Sequence, residues 1–339
     1  MSPPPNPTVS KTLGALLGVH TGDSLGATLE FMSWREIRAQ YPHGHRDIIG
    51  RGSFDWPAGH ATDDTDMTRA VLLAYHALER HNQDPTPGKV DYDIARAAAD
   101  WSLKWFLGDW PGRNKGSWPR DMGNATRVGL SNYQLSLNPT TCGAGQGSAG
   151  NGSLMRCIAT GLFARSKEQR RKESVAISMF THNDARCTVA CAAYNEMVAA
   201  LVEGKTVEEA LERGEEVAED LDAPAVTAAI RRGKELSIST LAAQGPGPDM
   251  PDHTSGYVLQ SLKVAVAALR DPRSFEDVLV DVVAIGGDTD TNGAIAGGLL
   301  GARDGIEKIP EGWLETLQFR DEFEKLGREI LTMQGFTST

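Results

Sequence analysis

Lys11-Thr-Leu-Gly14-Ala-Leu-Leu-Gly18-Val-His-Thr-Gly22-Asp-Ser-Leu-Gly26 is the stretch that decides the fold. Leu13, Leu16, Leu17, Leu25 and Leu29 recur at helical spacing, which predicts a helix over 11–31. Gly14, Gly18, Gly22 and Gly26 stand four apart and so share one face of it. Each glycine weakens a helix by about 1 kcal/mol relative to alanine. Four of them in register therefore call either for a break in the helix or for another backbone lying directly against this face.

The same periodicity predicts helices over 67–80, 91–106, 153–164, 185–201, 207–221, 223–241, 255–269 and 274–285. Ser274, three residues before Asp277, and Thr206, three before Glu209, mark helix starts. No stretch alternates apolar and polar residues as a half-buried strand does, so the fold class is all-α. Two segments resist the pattern and are expected to be loops over a site. These are 101–124, with Trp101, Trp105, Trp110 and Trp118, and the small-residue segment 140–152.

At 339 residues the chain is long for one domain but contains no linker-like segment. Residues 1–10, with four prolines and no apolar run, are expected to be a disordered tail and not a secretory signal. The formal net charge of −11 makes nucleic acid an unfavourable partner, because that affinity rests on cations meeting phosphates. The longest strongly apolar run, 294–300, is too short to cross a bilayer. Cys142, Cys157, Cys187 and Cys191 are too few for a disulfide scaffold and suit a reducing compartment, so a cytoplasmic protein with buried thiols is expected.

Thr62-Asp63-Asp64-Thr65-Asp66 stands where a glycine-containing loop ends and a long helix begins. Asp and Thr cap helices, and acidic residues in a first turn favour the helix dipole. One Asp suffices for that, however, and two adjacent carboxylates repel unless a cation neutralises them. The second cluster, Gly286-Gly-Asp288-Thr-Asp290-Thr291-Asn-Gly293, has the same architecture. It opens like an EF-hand loop, but the twelfth position, where a bidentate Glu is needed, is Leu299. The economical arrangement brings the two turns together around two hard cations, with oxygen ligands selecting magnesium, manganese or calcium. Such a pair can hold vicinal hydroxyls or a phosphate and activate water. His182, Cys187 and Cys191 match no standard zinc spacing and are read as packed side chains.

Gly145-Gln-Gly147-Ser-Ala-Gly150 has dinucleotide-loop spacing, but it follows polar residues instead of a strand, and no lysine completes a phosphate-binding P-loop. Gly150-Asn151-Gly152-Ser153 leads into a predicted helix whose free amides suit a pyrophosphate, with a ligand-free flexible loop as the competing account.

Taken together and in order, Gly22-Asp23-Ser24-Leu25-Gly26 with Glu30, Thr62-Asp63-Asp64-Thr65, Gly150 to Arg156, Thr181-His182, and Gly286 to Asn292 resemble the ADP-ribosylglycohydrolase family. The resemblance spans roughly residues 11 to 335. It implies one domain over 11–339, a compact orthogonal helical bundle with a binuclear magnesium or manganese site, and hydrolysis of the bond between ADP-ribose and a modified group. Carried over position by position, Thr62, Asp63, Asp64, Asp288, Asp290 and Thr291 are the implied metal ligands. Glu30 matches the family's glutamate near the metals, and Gly150, Asn151, Gly152, Ser153 and His182 would hold pyrophosphate and distal ribose. Asp121-Met-Gly-Asn124 resembles the scissile-end pair of the arginine-directed, dinitrogenase-reductase-activating branch. There Asp121 would pair with a guanidinium. Val19-His20-Thr21 and the Trp-rich segment depart from the pattern.

On that reading Asp64 or Glu30 takes a proton from the attacking water while a neighbouring acid protonates the leaving group. The expected partner is ADP-ribose or an ADP-ribosylated protein, and the expected state is a monomer. Three alternatives stay open: a hydrolase of serine-linked, poly-ADP-ribose or ester-linked ADP-ribose, a non-catalytic ADP-ribose binder, and a calcium-stabilised structural protein.

Overall fold

The glycine face of the first helix meets a second glycine face, and this contact forms the centre of the molecule. The computed structural model describes residues 6–247 and 256–336. Helix α1 (Pro7–Gly26) runs antiparallel to α14 (Thr289–Asp304). Gly14 lies against Gly301, Gly18 against Gly297, Gly22 against Gly293, and Gly26 against Thr289. A Cβ placed on Gly14 would sit 2.6 Å from the Gly301 carbonyl oxygen, and at the other three positions the clash would be closer still. No real methyl group fits there. Of the two accounts the sequence allowed, close backbone packing is the one found, and α1 is unbroken.

Between these two lie α2 (Trp34–Gln40), α3 (Asp63–Gln83), α4 (Ile94–Phe106), α5 (Asn124–Ser136), α6 (Ile158–Phe163) and α7 (Lys167–Met179). Next come α8 (Ala185–Val202), α9 (Val207–Asp220), α10 (Pro224–Glu235), α11 (Ile238–Gln244), α12 (Val258–Arg270) and α13 (Phe275–Val283). Two helices close the chain, α15 (Glu311–Leu314) and α16 (Arg320–Met333). Among the described residues no sheet forms, only isolated bridges. The fold is all-α, as the periodicity requires.

Helices α1, α8 and α14 are buried on every side along most of their length, as expected of helices apolar all round. Tyr194 ties α8 to α14 by donating its hydroxyl proton to the Ile295 carbonyl at 2.9 Å. Amphipathic helices such as α9, α12, α13 and α16 cover this centre. All four cysteines are buried and unpaired, as expected. No described helix is long and apolar enough to cross a membrane.

Several boundaries differ from the sequence expectation. Residues 7–10 are helical where a tail is expected, because α1 begins at Pro7 with the Asn6 side chain accepting the Thr8 amide at 3.0 Å. Proline suits the first helical position, where no amide is required. Residues 1–5 lie outside the described residues. The span 223–241 is two helices, since Ser237 caps α11 by accepting from the Thr240 amide. The span 153–164 becomes helical only at Ile158, after turns closed by Asn151. Of the Trp-rich stretch, Trp101 and Trp105 belong to α4 and the loop proper begins after Phe106. Helices α2, α5, α7, α15 and α16 were not anticipated. The largely polar α7, for example, is set by its Ser166 cap and by packing on α8.

Candidate metal and substrate site

Antiparallel packing of α1 on α14 carries the end of one to the start of the other, so the chain after Gly26 arrives beside Asp288 and Asp290. Phe31 donates its amide to the Gly287 carbonyl, and Gly287 donates back to Met32, both at 2.8 Å. This exchange holds Glu30 against the second acidic turn. Gly286 and Gly287 have φ of +88° and +79°, in the region that L side chains resist.

The first acidic turn joins from α3. Thr62 caps α3, and Thr62 and Thr291 both donate their hydroxyl protons to Asp64 Oδ2 at 3.3 Å. The two Asp-rich turns, far apart in the chain, therefore meet as expected. Asp23, given no separate role from the sequence, underlies them: its Oδ2 accepts from the amides of Thr62 at 3.1 Å and Thr65 at 3.2 Å and from the Thr65 hydroxyl. A buried Asp inside an otherwise apolar helix is the signal that could have found it.

Oxygens of Glu30, Asp121 and Asp290 lie within 4.8 Å of one another. Asp64 Oδ1, Asp290 Oδ1 and Glu30 Oε2 are buried without a hydrogen-bond partner. Among the described residues no lysine or arginine lines the cavity above them. Burial, and then the charges of Asp121, Asp288, Asp63 and Asp23, push the Glu30 carboxyl up to about 10. Burial and the neighbouring carboxylates, Glu30 foremost for Asp290, also raise Asp63, Asp64 and Asp290 well above the carboxylate range, and Asp121 rises to about 7. Crowded, dehydrated, unpartnered carboxylates with no internal cation are what a hard divalent ion would relieve.

The cavity above the cluster has a volume of about 640 Å³. Glu30, Asp63, Asp121, Asn124, Gly150, Asn151, Gly152, His182, Asp288, Asp290 and Thr291 all line it. Thr62 and Asp64 are buried and do not line it. Ser153 is not on its wall, being turned into the core, where it accepts a hydrogen bond from Ser178 at 2.9 Å. Asn151 donates to Asp288 Oδ2 at 2.7 Å, which fixes the glycine turn to the acidic cluster. Gly152 is glycine because a Cβ there would sit 2.9 Å from the His182 ring. Arg156, quoted above only as part of a motif, is fully buried and organises this wall by donating to the Gly152 carbonyl at 2.5 Å and to Thr181 Oγ1 at 2.8 Å.

Fold and site define a class: all-helical proteins with a buried acidic cluster, fit for cations, at the floor of a small-molecule cavity. The chain belongs to the ADP-ribosylglycohydrolase family, whose model matches residues 4–338. It is 30% identical to the ADP-ribosyl-[dinitrogen reductase] glycohydrolase of Rhodospirillum rubrum, over 93% of this chain and 92% of that protein. It is 28% identical to the ADP-ribosylarginine hydrolase Tri1 of Pseudomonas putida (strain GB-1), over 96% of this chain and 79% of that one. It is also 27% identical to the ADP-ribosylhydrolase ARH3 of Danio rerio, covering 95% and 90%. A solved structure titled ADP-ribosylglycohydrolase-related protein complex superposes with a TM-score of 0.75 at 27% identity, over 96% of this chain and 98% of that one.

Proposed function

We propose that this protein is a metal-dependent hydrolase that removes ADP-ribose from modified arginine. The observation that carries the reading is the meeting of Asp121 with Glu30 and Asp290 within 4.8 Å, which sets the residue proposed to read guanidinium at the edge of the acidic cluster. The names of the Rhodospirillum and Pseudomonas relatives point the same way.

Thr62, Asp63, Asp64, Asp288, Asp290 and Thr291 would hold two magnesium or manganese ions, which when bound supply Lewis-acid chemistry for hydroxyl oxygens and water. Gly150, Asn151, Gly152 and His182 would bind the pyrophosphate and distal ribose, and Asn124 would line the scissile end. Ser153 would act through the shape of the turn and not by contact. Glu30 is the better proton acceptor of the two candidates because it lines the cavity, whereas Asp64 is fully buried, does not line it and would act as a ligand. With cations bound, the Glu30 carboxyl would fall from its high metal-free value toward the working range of a general base. Asp121 would hold the guanidinium through paired charge-assisted hydrogen bonds.

The test is release of ADP-ribose from a protein modified on arginine against one modified on serine, with magnesium and then with chelator. Metal-dependent release from arginine is expected. Release from serine alone would move the function to the O-linked alternative, and tight ADP-ribose binding without release from either would leave a binding protein.

A further inference from the structure

Helix α12 is apolar wherever it is buried, with one exception. Val258, Leu259, Leu262, Val264 and Ala265 pack inward, and Ser261 is the one polar residue among the buried positions of this helix. A buried hydroxyl costs stability unless it is hydrogen-bonded. This one is: Ser261 Oγ accepts from the Asn151 side-chain amide at 3.0 Å.

The same amide nitrogen donates to Asp288 Oδ2 at 2.7 Å. That bond decides which way round the Asn151 amide sits, because only its NH2 side can meet a carboxylate. One N–H is then spent on Asp288, and the other, on a residue only 7% exposed, needs an acceptor. Ser261 is that acceptor. With both hydrogens held, the amide can neither swing away from Asp288 nor turn its carbonyl oxygen toward it.

The chain entering α12 brings Ser261 to this place. Asn151 donates its backbone amide to the Gly256 carbonyl at 2.9 Å, and Val258 donates to the Ala149 carbonyl at 3.1 Å, so the start of α12 runs along the glycine turn. Ser261 follows one helical turn later, its amide bonded to the Tyr257 carbonyl at 3.2 Å. Gly256 lies close to the Asn151 and Asp288 pair: a Cβ there would stand 3.3 Å from Asp288 Oδ2 and 3.5 Å from Asn151 Oδ1. One short segment therefore grips the backbone of the glycine turn and the side chain that joins the turn to the acidic cluster.

We infer that Ser261 is a positioning residue of the metal site, acting through Asn151 to fix the orientation in which Asp288 meets a divalent cation. The inference rests on the metal reading above. It gives the buried polar position of α12, which no step of the hydrolysis uses, a task at the acidic cluster.

The experiment is a double-mutant cycle read as the magnesium Kd, by calorimetric titration of the wild type, Ser261→Ala, Asn151→Ala and the double variant. Ser261→Ala should raise the Kd about tenfold while Asn151 is present, and by less than about twofold once residue 151 is alanine, since a residue that works through another has nothing left to hold when that other is gone. Ser261→Cys fills the same space with a weak acceptor and should show the same pattern, and it carries the test if alanine at 261 prevents folding. Melting in chelator runs alongside. A serine that serves packing alone would lower the melting temperature in both backgrounds and leave the magnesium Kd where it was; that result, or an equal loss of affinity with and without Asn151, overturns the inference and spares the metal reading. A wild type that binds no magnesium sinks the metal reading and this inference with it.

Discussion

Asp64 is fully buried, with one oxygen held by two threonine hydroxyls and the other held by nothing. Such a group opposes folding unless a cation sits beside it. Asp64→Asn should therefore raise the melting temperature in chelator, by the equivalent of about 1 kcal/mol, while removing most of the stabilisation that magnesium gives the wild type. Turnover should fall by orders of magnitude if Asp64 is the metal ligand proposed above, since the variant keeps the shape of the site and loses that ligand. Calorimetric melting with and without magnesium, beside a rate measurement, tests both halves. A variant destabilised in chelator and still fully responsive to magnesium would remove Asp64 from the ligand set.

Among the elements, the pairing of α1 with α14 fixes both core and site, because the glycine register determines how far Glu30 sits from Asp290. Gly22→Ala places a methyl against the Gly293 carbonyl, and overpacking of this kind destabilises by roughly 1–3 kcal/mol. It should also weaken magnesium binding, since the helices must part or slide where the acidic turns meet. Gly312→Ala is the control: a Cβ there meets nothing within 4 Å, and the change should be neutral or slightly stabilising. Denaturant melts together with magnesium titrations separate the two, and a Gly22→Ala protein with lowered stability but wild-type magnesium affinity would uncouple the register from the site.

Over the whole molecule, three buried histidines give stability an acid limb. His20 lies against the rings of Phe319 and Phe323, and its Nε2 accepts the Phe319 amide at 3.2 Å. Burial pushes it down to about 3, and burial likewise lowers His182 to about 3 and His45 to about 4. Unfolded histidine titrates near 6.5, so below that pH the unfolded chain binds more protons than the folded one. The stabilisation is complete above about 6.5 and is lost as pH falls through the folded values. With magnesium saturating, so that the acidic cluster stays ionised, the melting temperature should drop on the order of 5 °C between pH 7 and pH 5. His20→Gln should melt lower at pH 7 but show a shallower acid limb; an unchanged limb would assign the effect to other groups.

Much of this was legible along the chain because it depends on neighbours a few residues apart. Helical periodicity gives the all-α class, four glycines at one spacing demand a backbone partner, and paired aspartates at helix starts ask for a cation. Local signals also misplace boundaries where a single cap outweighs a pattern, as Asn6 and Ser237 do. What no local signal carries is the distance between parts remote in sequence. That Thr291 donates to Asp64, that Asp121 joins Glu30 and Asp290, that Ser153 turns inward, and that Ser261 meets Asn151 follow only once α1 lies on α14, α12 runs along the glycine turn and Trp105 and Trp110 are bound to Asp66. These are through-space relations fixed by side chain and backbone bonds across the core, and they exist only in the packed molecule.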